Sequence, residues 1–506
     1  MHAPAEASPA LPSGLAAALV FVAGGAVLVL EVVALRLVGP YVGVTLQTSS
    51  AVIGVALAAI AYGAWLGGWL ADRGDPRRLL APALVLAAIA TALTLPVVRY
   101  AGEVLRGSAV GGILLLTALA TFVPAALLAA VTPLVVKLQL GDLHRTGRVV
   151  GKLSSIGTLG GITATLVTGF VLVAALPSSV IMLGLAALLG AFGLAVGAYL
   201  HRQDRGETPG RPRTRGLVAV LGLAGAGLTA VAPNPCDVET AYHCAAVVAD
   251  DRRPSGRVLL LNSARHSYVD LADPRHLEFE YTQWIGAVAD VLARDGAPLD
   301  ALHVGGGGFT LPRYLAATRP GTRNVVLEID GELVDLDRKR LGVRTGPDLR
   351  VVVGDARVQL HREPAARYDL VVGDAFGYLV VPWHLSTREM AEQVRRVLRS
   401  GGVYAQNVID YPPARFIRAE VATVAAVFRH VALIAPPQAL TGRAGANFVI
   451  VASMAPLPLD PLWTRLGRTA QGPTAMITGA ELGEFVGGAP VLTDDYAPVD
   501  QLLVGP

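Results

Sequence analysis

The chain has 506 residues, of which 53% are hydrophobic and only 16% charged, with a mean hydropathy of +0.52. Soluble domains carry about 25% charged residues, so this chain is not soluble protein throughout. Its net charge of +3 comes from arginines scattered over loops, and no basic stripe with interleaved aromatics points to nucleic acid.

The charge deficit sits in residues 1–232 and marks off a first domain. Stretches of roughly 18 apolar residues can cross a bilayer. Seven are expected, at 15–38, 49–71, 79–98, 109–136, 150–176, 177–199 and 216–232. The fourth is over-long and holds Pro124 and Pro133, which predicts a kink or a re-entrant turn. The first is too long for a signal-peptide core and carries Glu31, which predicts an uncleaved anchor. Loop cations set orientation. Loop 72–78 holds Arg73, Arg77 and Arg78; loop 137–152 holds Lys137, Arg145, Arg148 and Lys152; loop 201–215 holds five arginines. Loops 39–48 and 176–180 hold none, and 99–108 only Arg99 and Arg106. The pattern predicts a cytoplasmic N-terminus and a chain that leaves the seventh span on the outer, periplasmic face.

The only cysteines, Cys236 and Cys244, follow that span closely. A pair confined to an exported segment favours a disulfide over two separate thiols. With only His243 nearby they fall short of four zinc ligands, and no metal site is expected. Glu31 and Arg36 lie in or at the edge of the first span, where a charge costs about 2.5–3.5 kcal/mol. Glu31 marks either a polar site in the bundle or one half of a pair with Arg36. Arg36 reads as that partner or as a side chain reaching the interface.

From Tyr242 onward the pattern changes. Ala245–Val248 and Arg257–Leu261, separated by the turn Asp251–Gly256, read as a β-hairpin within a small subdomain, 233–275. A helix is expected over 276–294, then strands near 301–304, 324–329, 349–353, 368–373, 402–409 and 447–452 with helices between most of them. Such alternation implies a parallel α/β sheet with right-handed crossovers, here over 276–506. Parallel sheets place ligands at the carboxyl ends of their strands. Gly305, Gly306, Gly307 and Gly308 follow the first strand, where the missing Cβ permits close approach and positive φ. Glu328 ends the second, at a spacing that suits ribose hydroxyls. Asp355 and Ala356 follow the third and can meet an adenine amino group; Asp374 ends the fourth. Thr310 and Leu311 stand where a dinucleotide fingerprint needs its third glycine, which argues against NAD or FAD. Four such strand ends point to nucleoside binding.

These residues resemble the polyamine aminopropyltransferases, the spermidine synthase family, from Tyr242 to about Asn407. The membrane-fused branch of that family also resembles residues 20–200 in span pattern, with the Glu31…Arg36 segment, and the tail Leu492–Pro498. The resemblance implies a multi-span α-helical membrane domain followed by a Rossmann-like methyltransferase-type domain with a small β-hairpin subdomain before it. It implies a thioether nucleoside held by Gly305, Gly306, Gly307, Glu328, Asp355, Ala356 and Asp374. Decarboxylated S-adenosylmethionine or S-adenosylmethionine then enters as co-substrate, with no tightly bound cofactor. It places the amine near His266, Tyr281, Gln283 and Tyr378. Its partners are a small amine, the nucleoside and membrane lipid, in a multi-pass inner-membrane protein, monomeric or dimeric.

This sequence departs from the family at its carboxylates. The aspartate after three glycines is Gly308, and the aspartate that serves as general base is Gly377. The family's Leu-Asp-Gly…Gln reads Leu261-Asn262-Ser263…His266, and its Tyr-His-Glu reads Tyr281-Thr282-Gln283. Aminopropyl transfer needs a neutral amine, whose solution pKa lies near a lysine's, about 10.4. A carboxylate that attracts the amine and takes its proton contributes about 10²–10⁴-fold. Asp374 is the remaining catalytic candidate; the other carboxylates that a dicationic amine would find are Glu328 and Glu278 or Glu280, which have other duties. Methyl transfer often needs only orientation and proximity, so it stands as the alternative reaction; a non-catalytic polyamine or nucleoside sensor or transporter is the alternative of another class. His384, after Pro382-Trp383, reads as a base or as packing on Trp383, and Tyr378 as pocket lining or loop packing. Asp494 and Asp495 read as a solvated turn before Pro498, with binding across to the catalytic face as the other reading. The outward placement conflicts with a donor that is made inside the cell.

Overall fold

The computed structural model describes all residues except 1–10, 44–45, 107–109, 141–145, 204–231, 233, 263, 294–295, 377–380 and 504–506. The chain divides into two compact units, Met1–Ala241 and Tyr242–Pro506.

Among the described residues the first unit holds six helices long and apolar enough to cross a membrane: Ser13–Val42, Gln47–Arg73, Pro76–Val104, Val110–Gln139, Thr146–Ala175 and Ser178–Gln203. The expected seventh span, 216–232, lies almost wholly outside the described residues. The fourth is not one straight rod. It breaks at Ala130 into Val110–Ala129 and Val131–Gln139, where Pro133 has no N–H for the carbonyl of residue 129. The fifth contains a π-helical turn at Thr168–Leu172. First and fifth spans touch through glycines: a Cβ on Gly24 would meet the Gly157 carbonyl at 2.5 Å, the close approach that small residues allow between apolar helices. Glu31 is half-buried. Arg36 bonds to Ser178 Oγ at 3.0 Å and to the carbonyls of Thr240 and Ala241. Both cysteines, Cys236 and Cys244, are disulfide-bonded.

The second unit begins with antiparallel strands β1 (Cys244–Asp250), β2 (Arg253–Leu261) and β3 (Ala264–Asp270). The expected hairpin is thus extended by a third strand. Helix α1 (Glu280–Val291) leads to β4 (Asp300–Val304), α2 (Thr310–Thr318), β5 (Arg323–Glu328), α3 (Gly331–Arg340), β6 (Leu349–Val353), α4 (Ala356–Arg362) and β7 (Tyr368–Gly373). Then come α5 (Arg388–Val397), β8 (Leu398–Asp410), α6 (Arg415–Ala425), β9 (His430–Ala435), β10 (Ala446–Ser453) and β11 (Ala475–Thr478). The sheet order is β11-β9-β10-β8-β7-β4-β5-β6.

The five strands from β6 to β8 are parallel, as the alternation predicts. The other end is antiparallel, which corrects the all-parallel expectation. Residues 436–445 are too few for a crossover, which needs a dozen or more, so β10 returns beside β9 and enters between β9 and β8. Side chains alternate between two cores: Leu302, Val304 and Val371 face one cluster, while Ala301, Leu370 and Val372 face the other. The sheet is covered on both sides, which explains strands that read as continuous apolar runs. The order reverses at β4, between β5 and β7, and a ligand crevice opens at such a switch point.

Candidate active site

The carboxyl end of β4 is built around glycine. Gly305 has φ +95° and Gly307 φ +47°, conformations costly for other residues. A Cβ on Gly305 would strike the Asp374 carbonyl, so the ends of β4 and β7 approach closely; the Asp374 N–H donates to the Val304 carbonyl at 2.9 Å. The Gly306 N–H donates to Glu328 Oε2 at 2.7 Å, and the Asp330 N–H to Glu328 Oε1 at 2.9 Å. Glu328 is buried, and burial raises its pKa against the pull of those two N–H groups. Each oxygen keeps a second lone pair, which suits a pair of ribose hydroxyls.

Two strand-end acids also start helices. Asp330 caps α3, accepting from the Leu333 N–H at 3.1 Å, and its other oxygen meets His243 Nδ1 at 3.2 Å. Asp355 caps α4 through the Val358 N–H at 3.1 Å, and its Oδ2 meets His384 Nε2 at 3.1 Å. Ala356 is the buried first residue of α4. His384 also packs edge-on against Trp383, as the packing reading expects. Asp494 and Asp495 sit in an exposed turn, and the Asp494 carboxylate in addition takes both Arg357 nitrogens, at 2.8 and 2.5 Å, and the Thr387 hydroxyl.

At the end of β7 the Asp374 carboxyl accepts from Asn407 Nδ2 at 2.8 Å and from the Tyr281 phenol. Asn407 in turn accepts from Asn447 Nδ2 at 2.9 Å. Burial pushes Asp374 up to about 6, while the Asn407 and Tyr281 bonds pull the other way. Tyr281 itself is raised well above 10, by burial and by Asp374. These groups face a cavity of about 430 Å³ shared with His266, Arg265, Glu278, Phe279, Glu280 and Phe376. Burial, and His243 nearby, hold His266 down at about 4, so its imidazole is neutral at pH 7; its enclosed Nδ1 has no hydrogen-bond partner.

Of the residues expected at the amine, His266 and Tyr281 line this cavity. Gln283 does not: its amide donates to the Leu277 carbonyl at 2.8 Å and accepts from the Gln471 N–H at 3.1 Å. It lies two positions beyond Tyr281 on α1, and residues two apart on a helix do not share a face. Gly377 and Tyr378 lie outside the described residues. Asn407 and Asn447 were not picked out by sequence pattern, although a polar Gln406-Asn407 pair inside the apolar run Val403–Val408 is a visible signal.

No family model matches the chain. It is 29% identical over 163 residues to a polyamine aminopropyltransferase of Vibrio vulnificus, a stretch that covers 32% of this chain and 52% of the relative. It is 32% identical over 128 residues to polyamine aminopropyltransferase 2 of Pseudomonas aeruginosa, covering 24% and 36%. The chain thus spans about half the length of the first curated relative and about a third of the second. A crystal structure of a probable spermidine synthase from Corynebacterium glutamicum aligns over 52% of this chain and 96% of its own, at 29% identity and a TM-score of 0.47. The resemblance carried by the glycine loop and the strand-end carboxylates therefore holds: this chain is similar in sequence to the polyamine aminopropyltransferases.

Proposed function

We propose that the chain is a membrane-anchored, multi-pass transferase whose second unit moves an aminopropyl group from decarboxylated S-adenosylmethionine to putrescine or another amine. One observation carries the reading. Glycines and acids at the ends of four adjacent parallel strands meet at the switch point, and the last, Asp374, lines a cavity with Tyr281 and Asn407. The nucleoside enters as co-substrate: Glu328 suits its ribose, Asp355 and Ala356 its adenine, and the Gly305–Gly307 backbone leaves room for it. The amine must lose a proton before it attacks. Asp374, raised to about 6, is ionised at neutral pH and takes that proton. The amine nitrogen then bonds to the carbon beside the sulfonium, the carbon–sulfur bond breaks, and the thioether nucleoside leaves with the electron pair.

Methyl transfer from S-adenosylmethionine is the second reading, and Gly308 favours it. A Cβ there would lie 3.0 Å from Ser267 Cβ and 3.2 Å from Val269 Cγ2. The position is filled by its neighbours, so no carboxylate fits. The test incubates the full-length protein with putrescine and either donor, followed by mass spectrometry. Spermidine formed with the decarboxylated donor and abolished by Asp374→Ala supports the proposal. Methylated putrescine with the intact donor replaces it with the second reading. Nucleoside binding without transfer from either donor leaves a sensor.

A further inference from the structure

The cradle lacks carboxylates at 308 and 377, yet its acceptor cavity is not poor in negative charge. Glu278 and Glu280 line it together with Asp374, against a single cation, Arg265. Arg265 lies over the Phe279 ring at 5.4 Å. Glu278 is already engaged, with His276 Nε2 at 3.0 Å from its carboxylate. Glu280 is different. It opens the first turn of α1, one residue before Tyr281, and neither hydrogen bond nor ion pair holds its carboxylate among the described residues. Its Oε1 lies against Gly472, where a Cβ would displace it. The lost positions and this one differ in accessibility. A side chain at 308 runs into Ser267, Val269 and Leu341, whereas the Glu280 carboxylate is exposed on the cavity wall.

We infer that Glu280 is the specificity residue for the acceptor's second positive charge, replacing from helix α1 the carboxylate that the glycine loop no longer supplies. This rests on the amine-transfer reading of the same cavity. Asp374 meets the attacking nitrogen; Glu280 meets the distal ammonium of an α,ω-diamine. A monoamine of equal length has nothing to offer Glu280. Gly472 is part of the arrangement, because only a residue without Cβ leaves the carboxylate in place.

The experiment uses the full chain and compares putrescine with butylamine, by calorimetry for Kd with 5′-methylthioadenosine bound and by turnover for KM with decarboxylated S-adenosylmethionine as donor. Glu280→Gln is expected to lower the preference for putrescine over butylamine about fivefold, the scale of one exposed ion pair. Gly472→Ala, which keeps the carboxylate but moves it, is expected to lower the same ratio about threefold. Affinity for 5′-methylthioadenosine within twofold of the parent shows that each variant is folded. A putrescine-to-butylamine ratio unchanged in Glu280→Gln overturns the inference while the transferase reading stands. Absence of nucleoside binding and of transfer in the parent protein overturns both.

Discussion

Asn407 Nδ2 donates to Asp374 Oδ1 at 2.8 Å, from a strand that pairs with β7 on one side and β10 on the other. The bond favours the ionised carboxylate and restrains a pKa that burial lifts to about 6. Asp374 therefore accepts a proton only above that value. Because Asp374 takes the proton from the bound ammonium, the reacting pair is the ionised carboxylate and the protonated amine, so log kcat/KM is level between about pH 6 and the amine's own pKa and falls with a slope of about one below about pH 6. Asn407→Leu moves the break upward. A profile that stays level down to pH 5 would count against Asp374 as the base.

Restoring the family's aspartate at Gly308 is expected to fail. The space beside this glycine belongs to Ser267, Val269 and Leu341, whose atoms lie 3.0, 3.2 and 3.4 Å from where a Cβ would stand. Gly308→Asp should destabilise the second unit by about 1–3 kcal/mol through overpacking, without raising turnover. A thermal melt and an initial-rate assay decide this; a more active, equally stable variant refutes it.

Asp337, on α3, is fully buried with neither carboxyl oxygen hydrogen-bonded. Burial, then repulsion from Glu328 and Asp330, pushes it up to about 9. The folded state therefore binds a proton that the unfolded chain releases near pH 4, and stability falls as pH rises from about 4 to 9. Asp337→Asn removes that loss. It should stabilise by on the order of 1–3 kcal/mol at pH 8 and by far less at pH 5. Melts at both values test it, and a gain that does not grow with pH contradicts the assignment.

Asp494 ties the C-terminal tail to Arg357, one residue after Ala356. The pair is partly exposed, so Asp494→Ala should cost less than about 1 kcal/mol of stability. Arg357 also donates to the His384 carbonyl at 2.7 Å, and His384 holds Asp355. Nucleoside affinity should then fall about threefold to tenfold while acceptor KM moves little. Equal affinity in a titration would separate the tail from the nucleoside site.

The cradle was legible because its chemistry is local. A short apolar run that ends in glycine or a carboxylate is one strand and one loop, and Gly305, Glu328, Asp355 and Asp374 each sit where such a run ends. Strand β3 was not legible: Ala264–Asp270 is apolar only in part, and it is a strand because β2 pairs with it. The antiparallel end of the sheet escaped for the same reason, since strand direction depends on connection length rather than on the strand's own residues. Gln283 looked like a site residue because it stands where the family's Tyr-His-Glu segment has its glutamate, but helix geometry turns it to the backbone of Leu277 and Gln471. Asn407 required knowing that β8 lies next to β7.

The insertion of β10 between β8 and β9 sets an order of assembly for the second unit. Asp374 gains Asn407 when β8 pairs, and Asn407 gains Asn447 only when β10 slots in against it. Domains fold as units while the ribosome is still extending the chain. The strand ends that carry Gly305, Glu328, Asp355 and Asp374 are complete in sequence by Asp374, but the hydrogen-bond network at its carboxyl closes more than seventy residues later. A nascent or truncated chain that stops short of β10 thus has Asp374 and Asn407 but lacks Asn447, so the hydrogen-bond network around Asp374 closes as a late event in synthesis.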